Sequence, residues 1–486
     1  MKLKKLFKKI PHQRIEGSRE IEISGVSSNS KLVSPGNIFI AKKGATDDGH
    51  RYISQAIAGG AVAVLTDLFD PTLSVPQVIV KDISQIEGLI ADTCYESPSS
   101  QLFVIGVTGT NGKTTTSYLV KHLLDGTFSP SGLLGTIEYL IGRHRYQATH
   151  TTPDIATNHK LLKEMVLQGC TAGVMEVTSH ALDQGRVKEI DYDAVVYTNL
   201  TQDHLDYHGT MEAYAAAKSL LFQQSKSKKT VAVINSDCPW SKIVTGPSTF
   251  PKITYGIDQQ SDLKAENLRF SPQGTAFTLN YQGKSWEVTS PLIGRHNVYN
   301  VLAAIGVLLV KKIDVQSIVE RLSTFPGVRG RLESVENTLG IQVYVDFAHT
   351  EDALRNVLKS LRELTKGKIL TVFGCGGNKD PKKRPLMAEA VEEGSDLAIV
   401  TLDNSRNEDP ETILSDILKG FKSPDHYIVE LDRAVAIEKA IHYAKEGDTV
   451  LIAGKGHETS QIFATMTIPF DDSKIAYKAC LNRSLS

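Results

Sequence analysis

Residues 106–115 read Gly-Val-Thr-Gly-Thr-Asn-Gly-Lys-Thr-Thr. The apolar run Leu102–Ile105 before them has the character of a buried strand. After them, Lys113–Leu124 carries Leu119, Val120, Leu123 and Leu124 at helical spacing. A strand, a glycine-rich turn and Gly-Lys-Thr at a helix start make a cradle for phosphate. Backbone N–H groups and the helix dipole face the anion, Lys113 brings a mobile positive charge, and Thr114 offers a hydroxyl to Mg²⁺. The common pattern has glycine at 107; this chain has Val107, with Gly106 and Gly109 beside it. The departure points to a variant of the loop, and the chemistry it predicts is binding of a nucleoside triphosphate.

Two further segments bring groups suited to the same chemistry. Glu176-Val177-Thr178-Ser179-His180 follows an apolar run at 173–177, which places Glu176 at the carboxyl edge of a sheet beside the phosphate loop. Thr198–Gly209, with His204 and His208, follows the run at 194–199 to the same edge. Oxygen ligands with an occasional imidazole suit Mg²⁺ alongside phosphate oxygens. Either histidine reads equally well as a satisfied loop residue. Lys218, in the helical stretch Tyr214–Phe222, reads by composition alone as a surface lysine with its stem laid along the helix.

These segments need a scaffold, and 486 residues exceed what one core holds. With 41% hydrophobic and 22% charged residues, the chain has an ordinary globular composition. A net charge of −1 gives no general reason to expect nucleic acid as a partner. No run reaches the roughly 20 apolar residues of a membrane span, and the basic start Met1–Ile10 lacks a signal-peptide core, reading instead as a short amphipathic helix. Five scattered cysteines without metal-type spacing fit a reducing cytoplasm. The breaks at Glu96–Ser100 and Phe325–Val328 divide the chain into an α/β protein of three domains. These are a small N-terminal α/β domain (1–98), a central P-loop domain with a parallel sheet (99–326) and a Rossmann-like C-terminal domain (327–486). Turn-like Ser271–Gly274 and Tyr281–Lys284 add a small antiparallel appendage to the central one, and ligands of such sheets sit at the carboxyl ends of their strands.

Taken together, the motifs resemble those of the Mur ligases, ATP-dependent enzymes that add amino acids to a UDP-linked muramyl peptide. The resemblance runs nearly the whole length. It rests on Gly109–Thr115, Glu176–His180, Asn199–His208, Tyr214–Phe222, Gly294–Asn300, Arg329–Glu333 and Asp346-Phe347-Ala348-His349. It implies that Gly109, Thr110, Asn111, Gly112, Lys113, Thr114 and Thr115 hold ATP with Asn297, Asn300, Arg331, Asp346 and His349. Lys113, Glu176, His204 and Lys218 would be catalytic, with Thr114, Glu176, His204 and Lys218 organising Mg²⁺. Lys218 matches a lysine that is carbamylated in the family, which turns a repelling ammonium into an anionic oxygen ligand. Ser30 would meet the uridine part of the acceptor, and Thr151, Thr152, Thr178, Gln184 and Arg186 its peptide. In the N-terminal segment Asn29-Ser30-Lys31 replaces the usual Asp-Ser-Arg, so Ser30 alone carries over.

Asp403-Asn404-Ser405-Arg406 resembles the Asp-Asn-Pro-Arg of ligases that add meso-diaminopimelate, with serine in place of proline. The resemblance gives the distal carboxylate to Arg406 and the distal groups also to Asp403, Asn404, Gly454 and Glu458. Lys379 stands where arginine is usual, facing the α-carboxylate as a point charge. The implied reaction joins meso-diaminopimelate to UDP-MurNAc dipeptide (L-Ala-D-Glu type) with ATP as co-substrate and Mg²⁺ as cofactor, in the cytoplasm and as a monomer. A sibling ligase adding L-lysine, or a folate polyglutamate synthetase, shares the ATP core; Arg406 speaks against the first and the uridine-like segment against the second. A P-loop ATPase used as a switch would hydrolyse ATP without any acceptor.

Overall fold

The computed structural model describes residues 1–44, 47–127, 129–223, 229–246 and 248–485. Among them three main sheets follow one another along the chain. The N-terminal sheet has five strands in the order Arg14–Glu16, Gln77–Ile79, Ala63–Thr66, Asn37–Ile40, Gly25–Ser27, parallel except for the first. The C-terminal sheet has six, in the order Glu333–Ser334, Gln342–Asp346, Thr449–Ala453, Ile369–Phe373, Leu397–Val400, Tyr427–Val429, again parallel but for the first.

The eleven-stranded central sheet has the expected parallel middle and antiparallel appendage, and adds a second antiparallel edge. Its middle, from Leu263–Ser271 through Lys252–Gly256, Val231–Asn235, Ala194–Tyr197, Phe103–Thr108 and Ala172–Glu176 to Ser131–Leu134, runs parallel. The strands at 263–290 continue this sheet as antiparallel hairpins at one edge. Ser131–Leu134, Glu138–Ile141 and His144–Gln147 form a second antiparallel run at the other. That second run has a polar, exposed last strand, so its hydrophobic pattern is too weak to announce it.

Burial explains why the middle is parallel. Val104, Ile105, Val107, Val174, Val195 and Val196 are each fully buried on one face or the other, as a sheet covered by helices on both sides requires. The helix Lys113–Gly126 packs beside the longer Arg295–Val310, and Leu119, Val120 and Leu123 share a core with Val301, Leu302 and Ile305. The expected N-terminal helix is reduced to one turn, Leu3–Leu6, with both leucines buried. Glu96–Ser100 is not loose: Ser97 donates to Asp92 at 2.8 Å, and Pro98 and Ser99 are buried. Between the central and C-terminal sheets, Gly327 and Gly330 take positive φ (+83° and +66°) around buried Val328. A side chain at Gly330 would run into the backbone of Gly456 and His457.

Candidate active site

The phosphate loop is built by the sheet beneath it. Val107 lies inside the strand Phe103–Thr108, fully buried and paired with Val196 and Glu176, so the loop begins only at Gly109. That explains the valine where the common pattern has glycine. Gly109 has φ +151° and Gly112 φ +85°; a β-carbon would strike Thr198 Oγ1 at the first and Asn300 Oδ1 at the second. Thr198 and Asn199, delivered by the neighbouring strand, pin Asn111: its N–H donates to Asn199 Oδ1 (2.9 Å) and its carbonyl accepts from Thr198 Oγ1 (2.6 Å). Lys113 folds back over the loop, donating to the carbonyls of Gly109 and Thr110 at 2.9 Å each. Thr115 is buried at the start of the helix.

Beside the loop, Glu176 is wholly buried at its strand end. Its Oε2 accepts from Thr114 Oγ1 (2.9 Å) and Thr136 Oγ1 (2.8 Å), and its Oε1 from the Thr136 N–H (3.0 Å). Thr136 went unnoticed in the sequence; its one signal is Gly135, where any side chain would collide with Glu176. Carboxylate and hydroxyl oxygens in this number are hard donors of the kind Mg²⁺ takes next to phosphate.

Lys218 is not a surface lysine. Thr210 caps the helix Met211–Ser219 by accepting from the Ala213 N–H, and this orientation turns Lys218 inward. The side chain is about 1% exposed, donates to the Gly109 carbonyl at 2.9 Å and lies 4.5 Å from the centroid of the Tyr214 ring. Burial, then the charge of Lys113, pulls its pKa well below the usual lysine value. His204 has φ +54°, and burial lowers its pKa to about 4 despite Asp203 at 3.4 Å, leaving a neutral imidazole. The plain reading holds for His208, which bonds Ser179 Oγ at 2.9 Å and stacks on Tyr214.

The C-terminal sheet closes over this edge. Arg331 donates to Thr114 Oγ1 at 3.2 Å and lies over the Phe347 ring, while its Nε has no partner among the described residues. Asp346 accepts from the N–H groups of Leu332 and Ala348, at 2.7 Å each, and burial raises its pKa. Asn111 donates across the interface to Asp352 at 2.9 Å. Asn300 accepts from Thr116 Oγ1 and donates to Asn297, which donates in turn to the Ile293 carbonyl, so these two amides brace the loop from behind.

Burial holds three histidines of this closure neutral: His296 and His349 with pKa values near 4, and His457 near 3. Unfolded histidine titrates near 6.5, so between that value and about 4 the unfolded chain binds more protons than the folded one. Stability must then fall as the pH drops through this window. Urea unfolding followed between pH 7 and 5 is expected to show a falling midpoint, with His349→Asn flattening part of the slope. An unchanged midpoint would contradict neutral burial.

Between the two lobes lies a cavity of about 260 Å³. One wall carries Asp203 and His204, the other His349, Lys379, Asp403, Asn404, Arg406, Gly454 and Glu458. The amino-acid loops expected from sequence therefore converge with His204 on one space. Arg406 takes φ +52° and donates to the Gly377 carbonyl at 2.9 Å. Glu458 is already engaged: its Oε2 accepts from Asn404 Nδ2 (2.8 Å) and from fully buried Lys455 (2.9 Å). Lys455, overlooked as a site residue, also donates to Asn404 Oδ1 at 3.0 Å.

The remaining groups form a track away from the loop. Thr152 donates to the Glu176 carbonyl and accepts from the Thr178 N–H, and Thr151 lies 3.2 Å from Thr136. Arg186 grips Gln184 Oε1 with two nitrogens (2.9 and 2.6 Å) and the Thr152 carbonyl with a third. Ser30 stands apart beside the N-terminal sheet, donating to Gln55 at 2.8 Å.

The site thus combines a glycine-rich loop at a helix start with a nearby cavity lined by carboxylates, Lys379 and Arg406, an arrangement suited to an enzyme that uses a nucleoside triphosphate on an acidic substrate. The Mur ligase middle domain matches residues 107–308, the Mur ligase glutamate ligase domain 330–456, and the Mur ligase family catalytic domain 22–90. UDP-N-acetylmuramoyl-L-alanyl-D-glutamate–2,6-diaminopimelate ligase of Chlamydia trachomatis is 44% identical over 483 residues, covering 99% of both chains. The ligase of the same description from Geobacillus thermodenitrificans is 42% identical over 489 residues, 99% of this chain and all of that one. A solved structure of a ligase so described has a TM-score of 0.70 at 33% identity, covering 100% and 99% of the two chains. The chain belongs to the Mur ligase family and is an ATP-dependent ligase forming carbon–nitrogen bonds.

Proposed function

We propose that this enzyme joins meso-diaminopimelate to UDP-MurNAc dipeptide, making the tripeptide precursor of peptidoglycan. The observation that carries the reading is the cavity whose lining brings Arg406 and Lys379 together with Asp203 and His204. Near full-length identity to ligases of that description supports it. The domains then divide the work: 1–98 receives the uridine nucleotide through Ser30, 99–326 holds ATP, and 327–486 binds the incoming amino acid.

The peptide carboxylate, lined up by Thr151, Thr152, Thr178, Gln184 and Arg186, attacks the γ-phosphorus. The bond to the β-bridging oxygen breaks, and ADP leaves an acyl phosphate. Lys113 and the loop amides of residues 109–115 offset the charge that shifts in this step. The free amine of diaminopimelate then adds to the acyl carbon, and phosphate departs with the amine's proton lost to solvent or a nearby base. Arg331, Asp346 and His349, with Asn297 and Asn300, frame the nucleotide. Thr114, Glu176, His204 and carbamylated Lys218 would hold Mg²⁺, which when bound neutralises phosphate charge. A monomer working in the cytoplasm fits this reading, and no helix among the described residues is long and apolar enough to cross a membrane.

Selection of the amino acid tests the reading. With a guanidinium fork on the distal carboxylate, Arg406→Ala removes one partner of a desolvated pair, a loss of about 2–5 kcal/mol. The KM for meso-diaminopimelate should rise on the order of 30-fold to several thousand-fold, with the KM for ATP little changed. L-Lysine should be a poor substrate of the parent, because it lacks the distal carboxylate. Equal kcat/KM for the two amino acids would overturn this specificity while leaving a ligase.

A further inference from the structure

The loop that carries Arg406 lacks the stiffness that a proline at 405 would give it, and Arg406 itself sits in the left-handed region at φ +52°. Such a conformation persists only where neighbours impose it. The neighbours are in the hairpin formed by Ser460–Ile462 and Thr467–Pro469, a segment given no role above. Ile462 donates its N–H to the Asn404 side-chain Oδ1 at 2.9 Å and accepts from the Arg406 N–H at 3.1 Å, so the strand holds a side chain on one side of Ser405 and the backbone on the other. Between them Gln461, about 4% exposed, donates its side-chain amide to the carbonyls of Leu402 (3.4 Å) and Asp403 (3.2 Å). Both acceptors are carbonyls, which can only accept, so the amide orientation is fixed by its surroundings. On the far side, the Ser405 carbonyl lies so close to Gly377 that no side chain fits there. The loop is thus clasped between Gly377 and the hairpin.

We propose that Gln461 is a positioning residue for amino-acid selection: by bonding the two carbonyls ahead of Ser405 it fixes the loop from which Arg406 meets the distal carboxylate. It does this in place of the conformational restriction that proline would supply. Gln461 lies outside the set that meets substrate, and its effect passes through Arg406. The inference rests on the diaminopimelate reading above.

The test is Gln461→Glu, which keeps size and shape but turns the donor into an acceptor facing two carbonyls, with Gln461→Ala as a second variant without the added charge. Phosphate release is measured with UDP-MurNAc dipeptide, ATP and either meso-diaminopimelate or L-lysine. Unmet buried carbonyls and a mobile loop should raise the KM for meso-diaminopimelate roughly tenfold to a hundredfold. The KM for ATP and the thermal midpoint should stay near those of the parent. In an Arg406→Ala background the same changes should add less than about twofold, because their effect has no remaining route. An unchanged KM for meso-diaminopimelate in both variants, or a full additional effect without Arg406, overturns the proposal. Loss of folding in Gln461→Ala alone leaves Gln461→Glu to decide, and a rise in all KM values together would mean a merely structural role. A parent that releases no phosphate with meso-diaminopimelate would instead remove the functional reading itself.

Discussion

Lys113→Ala should lower turnover by about 10²–10³-fold or more, the scale of losing a preorganised charge at a transition state. Lys113 is the cation proposed to meet the phosphates, its amine held here by the carbonyls of Gly109 and Thr110. Those carbonyls also bind water well, and the loop is pinned independently by Thr198 and Asn199, so the fold should survive the change. Single-turnover measurement at saturating ATP separates this loss from weaker nucleotide binding. The variant has a second consequence: the charge of Lys113 helps to lower the Lys218 pKa, so its removal shifts Lys218 toward the ammonium form. A variant within threefold of the parent would remove the phosphate-cradle assignment.

Lys218→Ala should be nearly inactive, for a different reason. A lysine that is buried, uncharged and nucleophilic is the form that adds CO₂. Its carbamate places an anion near Lys113 where the bare amine supplies none. Alanine leaves the space and removes the charge, so a short-chain carboxylate that enters it should restore part of the activity. Carbon-13 NMR of enzyme in labelled bicarbonate should show one protected carbamate, absent in the variant. A fully active enzyme whose Lys218 remains a bare amine at ample CO₂ would refute the modification.

What the sequence made legible was local. The phosphate loop, the polar segments after apolar runs, and the three loops of the C-terminal lobe each declare themselves within about ten residues, because strand, turn and helix leave marks at that range. Lys218 was misread from composition for the opposite reason. Its burial depends on a carbonyl 109 positions away in sequence, and a short alanine-rich helix does not say which side will face the core. Thr136, Lys455 and Gln461 were missed on the same ground: each matters through partners brought together by tertiary contact. The strands at 138–147 extended the central sheet without a hydrophobic pattern strong enough to show it, whereas those at 263–290 declared themselves through their turns. The resemblance groups Glu458 with Arg406, and both line one cavity, but the ion pair that occupies one of its oxygens depends on Lys455 folding inward.

The most direct measurement is phosphate release by the full chain with ATP and Mg²⁺, with UDP-MurNAc dipeptide present or omitted, against a panel of amino acids. The account predicts release that requires the dipeptide, is fastest with meso-diaminopimelate, and is matched mole for mole by a UDP-linked tripeptide. Phosphate release that proceeds equally well with the dipeptide omitted, and yields no tripeptide when it is present, would contradict it.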